Sequence, residues 1–150
     1  MPSRVLTPKA TIINMGLAGL RHPVLAPIIV PSIRPVVVKP AGGVSVRVNT
    51  DITPEQEKAL NSSIEQWNGA CPNHPLSRDR SVATEMLVSF VPESEMADVL
   101  PIYAKGNVGL FTYCWDATNN LSGMTVAIAS ELEGSQLAHV VLEETTQAMG

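Results

Sequence analysis

Cysteine and aromatic residues are scarce in this chain, and each scarcity excludes something. Two cysteines, Cys71 and Cys114, among 150 residues are too few for a disulfide scaffold or a structural zinc finger, and they leave the redox compartment open. Aromatic residues make up 4%, and 14 acidic against 10 basic residues give a formal net charge of −4. That balance lacks the basic, aromatic-studded surface on which nucleic-acid binding depends. No stretch of about 18 apolar residues escapes proline or charge, so nothing reads as a membrane span. Charged residues are also few, at 16% against 45% hydrophobic, which excludes a disordered or supercharged chain. A chain of this length buries roughly 70% of its unfolded surface, enough for one domain with a real core.

Proline is unevenly spread. Residues 1–43 hold seven of the 12 prolines, and Pro23, Pro27, Pro31 and Pro35 recur every fourth residue. Proline removes the backbone donor and pushes the preceding residue to extended geometry, so helix is excluded from about 22 to 40. The intervening Val24, Leu25, Ile28, Ile29, Val30, Ile33 and Val36 to Val38 are too apolar for a free linker. The expectation is an extended arm that lies on its own domain or docks on a neighbouring subunit through residues 22–40. Upstream, Arg4 and Lys9 precede an apolar run from Ala10 to Leu20, the outline of a secretory signal. Arg21-His22-Pro23 follows it with no small-x-small cleavage site. Export to the periplasm or beyond and a cytoplasmic location therefore both stay open.

From Gly43 the pattern changes to that of an α+β domain over 44–150. Val44 to Val48 alternates apolar and polar residues, a half-buried strand. Thr53-Pro54-Glu55-Gln56 combines an N-cap, a first-turn proline and a capping-box glutamine. Leu60, Ile64 and Trp67 continue at helical spacing, and Asn68-Gly69 is read as the helix end. Residues 70–84 read as loop, Met86 to Val91 as a strand, and Glu93 to Leu100 as a short helix stopped by Pro101. Gly109 to Trp115 alternates so that Phe111, Tyr113 and Trp115 share a face, and Met124 to Ala129 returns after the turn at Asp116 to Asn120 as a hairpin partner. Ser135 is expected to cap a last helix running to Met149.

That last helix carries the candidate chemistry. At 100° per residue, Leu137, Ala138, Val140, Val141, Leu142, Ala148 and Met149 cover one broad arc, and Glu144 falls inside it. The opposite arc carries Thr146 and a stripe of His139, Glu143 and Gln147 at i, i+4, i+8. A carboxylate on an apolar face must be paired, hydrogen-bonded or protonated, because burying it bare costs several kcal/mol. Two acids in the last turns also oppose the helix dipole, so helix stability does not explain Glu143-Glu144. Either Glu144 is a structural carboxylate held by a donor, or it is a functional group with a raised pKa.

The block Glu143-Glu144-Thr145-Thr146-Gln147-Ala148-Met149-Gly150 resembles the zinc-metalloprotease motif His-Glu-x-x-His-x-x-Gly with both histidines replaced. Together with Met86 to Val91, Pro92-Glu93, Gly106 to Phe111 and the apolar strand to Ala129, it resembles a family of bacterial, usually exported proteins whose domain of unknown function is related to zincins. The resemblance spans about 44–150. It implies a zincin-like α+β fold: a twisted mixed sheet of about four strands with two main helices, preceded by the Pro-rich arm at 1–43, and a long helix facing a substrate cleft. Glu144 matches the general base, the catalytic position, while Glu143 and Gln147 match the two histidine ligands and, with His139, line the cleft. A glutamine amide is a weak zinc donor, and a metzincin's third ligand would lie beyond Gly150. The expectation is therefore a domain truncated at the C-terminal end of its motif helix, which holds no metal and no other cofactor and is catalytically weak or dead.

Other groupings read as ordinary structure. Cys71-Pro72-Asn73-His74-Pro75 is a turn before it is a ligand pair, and the glycine-rich Lys105 to Gly109 precedes a strand, whereas a phosphate loop must open a helix. Two functional classes remain: a peptidase-related cleft protein binding a peptide or protein ligand, and an assembly subunit whose arm docks on neighbouring copies or partners.

Overall fold

The computed structural model of the chain describes residues 11–14, 42–79, 82, 84–118 and 120–149. Strands are β1 (Thr11–Asn14), β2 (Val44–Val48), β3 (Leu76–Ser77), β4 (Glu85–Val91), β5 (Gly109–Trp115) and β6 (Leu121–Ala129). Helices are α1 (Pro54–Ala70), α2 (Met96–Val99), which follows a 3₁₀ turn at Glu93–Glu95, and α3 (Gly134–Gln147). The strands form one mixed sheet in the order β1-β5-β6-β4-β2-β3, five of them from the chain after Gly42. β2 runs parallel to β3 and β4, and β4 parallel to β6, while β5 is antiparallel to both β6 and β1. The α+β class and the mixed sheet expected from the sequence are present, with two strands more than the four anticipated.

Both extra strands have a physical reason for escaping notice. β3 is two residues long, too short to show a period. It is held by Asn68, whose Oδ1 accepts the Leu76 N–H at 2.7 Å and whose Nδ2 donates to the Leu76 carbonyl at 2.8 Å. Asn68 therefore does not end α1, which continues to Ala70; it uses the last turn to tether the next strand. The loop expected over 70–84 contains this strand. Gly43, at φ +82°, opens β2 where a Cβ would stand 2.4 Å from the Pro75 carbonyl oxygen, the same oxygen that accepts the Val44 N–H. β1 lies inside the apolar run with the outline of a secretory signal, and it pairs with β5 over Thr11↔Cys114 to Asn14↔Phe111. The arm at 22–40 and its docking on neighbours lie outside the described residues.

Two other boundaries shift. α3 starts at Gly134 with Glu133 as its N-cap residue and no side-chain cap, so Ser135 sits inside the first turn. The Gly134 N–H is instead accepted by Glu55 Oε1 of α1 at 2.6 Å. β6 begins at Leu121 rather than Met124, through an irregular register beside Cys114/Trp115.

α1 and α3 pack together on one side of the sheet. Val46, Met86, Val88, Phe90, Phe111, Val126 and Ile128 supply the sheet's buried contribution beneath them, and Leu60, Leu137, Val140 and Val141 the helical one. Phe111 and Tyr113 stack at 6.1 Å with Tyr113 and Trp115 at 5.9 Å, all three buried. The aromatic stripe is core, as strand aromatics usually are. Between the helices, the Ser63 and Thr145 hydroxyls meet at 2.5 Å with neither residue exposed. Thr145 Oγ1 gives its proton to the Val141 carbonyl at 2.7 Å, so Ser63 donates to Thr145. The sheet's other face carries the half-exposed Arg47–Glu85 ion pair at 3.0 Å.

Candidate functional site

The apolar arc of α3 is narrower than its periodicity implies. Leu137, Val140, Val141, Glu144, Thr145, Ala148 and Met149 are buried, whereas Ala138 is exposed and Leu142 is half-buried. These two lie at the flank of the arc beyond Thr145, the residue that meets α1. The remaining positions press on β5 and β6.

Glu144 is fully buried at this helix–sheet contact. A Cβ added to Gly109, the first residue of β5, would stand 2.6 Å from Val140 Cγ1, 2.7 Å from Glu144 Cγ and 2.9 Å from Glu144 Oε1. Gly109 is thus the residue that lets α3 come down on the sheet with a glutamate underneath. Neither Glu144 oxygen has a hydrogen-bond partner among the described residues. With no donor there to hold the ionised form, burial pushes its pKa up to about 8, and the neighbouring Glu143 charge adds to the rise. Glu144 is therefore mostly protonated at neutral pH. The burial and its consequence were legible in the helical pattern; the glycine across from it was not, because one strand-initial glycine looks like any other.

The stripe on the other side of α3 is connected. Gln147 Nε2 donates to Glu143 Oε1 at 3.1 Å, and His139 Nε2 approaches Glu143 Oε2 at 3.4 Å, with His139 66% and Glu143 24% exposed. Glu143 is the hub, and Gln147 Oε1 is buried without a partner among the described residues. The three cleft candidates come together, and the general-base candidate points away from them into the core. No group of three or more His, Cys, Asp or Glu side chains that could hold a metal ion occurs among the described residues.

Elsewhere, His74 N–H donates to the Cys71 carbonyl at 3.1 Å, closing the turn between them, and both cysteines are free thiols. Gly106 N–H and Tyr103 Oη both donate to Glu93 Oε1, at 3.1 and 2.7 Å, which holds the Glu93 carboxyl below its ordinary range through Tyr103 first and Gly106 second. The Glu131 carboxylate accepts the Glu93 N–H at 3.0 and 3.2 Å. This cluster staples the ends of β4 and β6 to the loop before β5. Its residues are far apart in sequence, so no spacing announced it. No helix among the described residues is long and apolar enough to cross a membrane. Compared with protein-family models, curated proteins and solved structures, the chain finds no match in any of the three.

Proposed function

We propose that the chain is a zincin-like, metalloprotease-related domain with a degenerate metal site, binding a peptide or protein ligand in a cleft and having little or no hydrolytic activity. One observation carries this reading: the two positions that match the ligand histidines, Glu143 and Gln147, are hydrogen-bonded to each other at 3.1 Å. Amide-to-carboxylate closure engages the Glu143 Oε1 that a metal would need, and the one atom Gln147 could offer, its amide oxygen, is a poor zinc ligand. Glu144 supports the same conclusion, since a general base must reach water or substrate and this carboxyl reaches neither in its buried position. A long helix packed with α1 on one side of a mixed sheet is in keeping with the resemblance. Export is the location that goes with it, the family being usually exported. The assembly reading rests on residues 22–40 alone.

Elemental analysis after purification without chelator and incubation with zinc tests the proposal. The expected result is far less than one zinc per chain and no cleavage of a casein substrate. Stoichiometric zinc that disappears in Gln147→Ala would overturn it, because genuine protein zinc sites bind tightly at neutral pH.

A further inference from the structure

We propose that the outer edge of β5 is a strand-acceptor site for an extended, uncharged peptide, and that β1 occupies it as the chain's own competing ligand. This deepens the peptide-binding reading and rests on it for the nature of the partner. Within the sheet formed after Gly42, β5 is the edge strand beside β6, and β1 comes to it from the far N-terminal part of the chain. An exposed edge of this length is a template for another strand, and proteins cover such edges. Among the described residues, β1 pairs with Phe111 to Cys114, four of the seven residues of β5. An extended strand running in the same antiparallel direction can pair along β5, each cross-strand pair contributing to affinity.

The register also states what such a strand meets. Positions opposite Phe111 and Tyr113 lie on the helix side of the sheet, and positions opposite Thr112 and Cys114 on the other side. Main-chain pairing supplies affinity and the alternate positions supply selectivity, as in strand addition generally. The Thr-Ile-Ile-Asn sequence of β1, uncharged and rich in β-branched residues, shows the chemistry the edge accepts. Running towards Gly109, a longer peptide would continue over the point where α3 touches β5 through Val140 and Glu144, which brings a bound strand alongside the candidate site. Because a tethered segment competes at a high effective concentration, β1 holds the edge closed to weak ligands.

The probe is a fluorescent, end-blocked peptide with the sequence of residues 10–18, which carries no charged side chain, titrated into the full-length chain and followed by polarisation. In Ile12→Pro/Ile13→Pro, one of the two prolines removes a ladder donor whichever way the alternation falls. This variant should bind the peptide at least about tenfold more tightly than the unaltered chain, the tethered competitor being gone. Protection of the β5 amides from hydrogen exchange should fall in the variant and return with peptide. A second variant, Thr11→Cys, sets a thiol opposite Cys114, at the roughly 4.5–5.5 Å Cα spacing of antiparallel pairs that a disulfide can bridge. Mild oxidation should give an intrachain disulfide between the introduced thiol and Cys114 that blocks the peptide, and reduction should reverse it. Equal peptide binding by the double-proline variant and the unaltered chain, failure of the link to form, or a link between two chains would each overturn the proposal. Since the probe is the chain's own sequence, these outcomes do not depend on whether the domain is related to peptidases.

Discussion

α1 and α3 lie side by side on the same sheet, yet they are specified in opposite ways. α1 is written locally: Thr53 Oγ1 accepts the Gln56 N–H at 3.2 Å, Gln56 Oε1 accepts the Thr53 N–H at 2.9 Å, and Pro54 occupies the first turn. α3 has no side-chain cap from its N-cap residue, carries two acids near its C-terminal end and buries one of them without a partner among the described residues. Its start is closed by a carboxylate borrowed from α1. A helix that satisfies every local rule needs little explanation beyond folding. One that breaks several, and is held by tertiary contacts, is where function or strain is expected to reside.

The sharpest way to test that contrast is through Glu144. A carboxyl whose folded-state pKa is raised favours the folded protein while both states are protonated, and that advantage is lost as the unfolded state ionises first. With an ordinary value of 4.5 and a folded value of about 8, stability falls as pH rises across that window, by about 1.4 kcal/mol per pH unit. The loss is on the order of 4 kcal/mol between pH 5 and 8 by the same linkage. Glu144→Gln should flatten this slope and melt no lower than the unaltered chain at pH 8. A structural, ionised Glu144 would instead make the glutamine variant less stable by about 1–3 kcal/mol at every neutral pH, and chemical denaturation at three pH values separates the two.

Gly109→Ala comes next in size. The new methyl would meet a β-branched side chain and the Glu144 stem at 2.6 to 2.9 Å, and neither can leave without moving α3. Overpacking of this kind costs about 2–3 kcal/mol. Combining it with Glu144→Ala, which clears the stem, should recover part of the loss, whereas strictly additive melting data would show that the helix does not rest on Gly109.

How much of this was legible in the sequence follows the same division. Val44 to Val48, Gly109 to Trp115 and the capping box at Thr53 are local patterns, and the structure has them where the residues put them. So is the burial of Glu144, since helical periodicity alone places it among Leu137, Val140 and Ala148. What could not be read are the contacts that join distant residues: Asn68 with Leu76, Glu55 with Gly134, Ser63 with Thr145, and Gly109 under Glu144. Ser135 reads as a cap because serine before an apolar run is the usual signal, and nothing local reveals that Glu55 fills that role. Residues 82 positions apart leave no periodic trace, so the site's polar stripe was visible while its packing was not.

The smallest expected effects compare the two caps directly. Thr53→Ala removes a local cap and should cost about 1 kcal/mol, largely independent of salt. Glu55→Gln keeps an acceptor oxygen near Gly134 but removes the charge from the positive end of α3, worth ~0.3 kcal/mol at low ionic strength and less at high. Glu55 also belongs to the first turn of α1, so global melting alone cannot say which helix responds. Hydrogen exchange at the Gly134 amide can, because that N–H is the one Glu55 accepts at 2.6 Å. Its exchange should quicken in Glu55→Gln while the Gln56 amide, held by Thr53, stays protected, and the reverse should hold in Thr53→Ala. If both amides respond alike to both substitutions, the helices share one capping unit and the contrast between a locally specified α1 and a borrowed start for α3 fails.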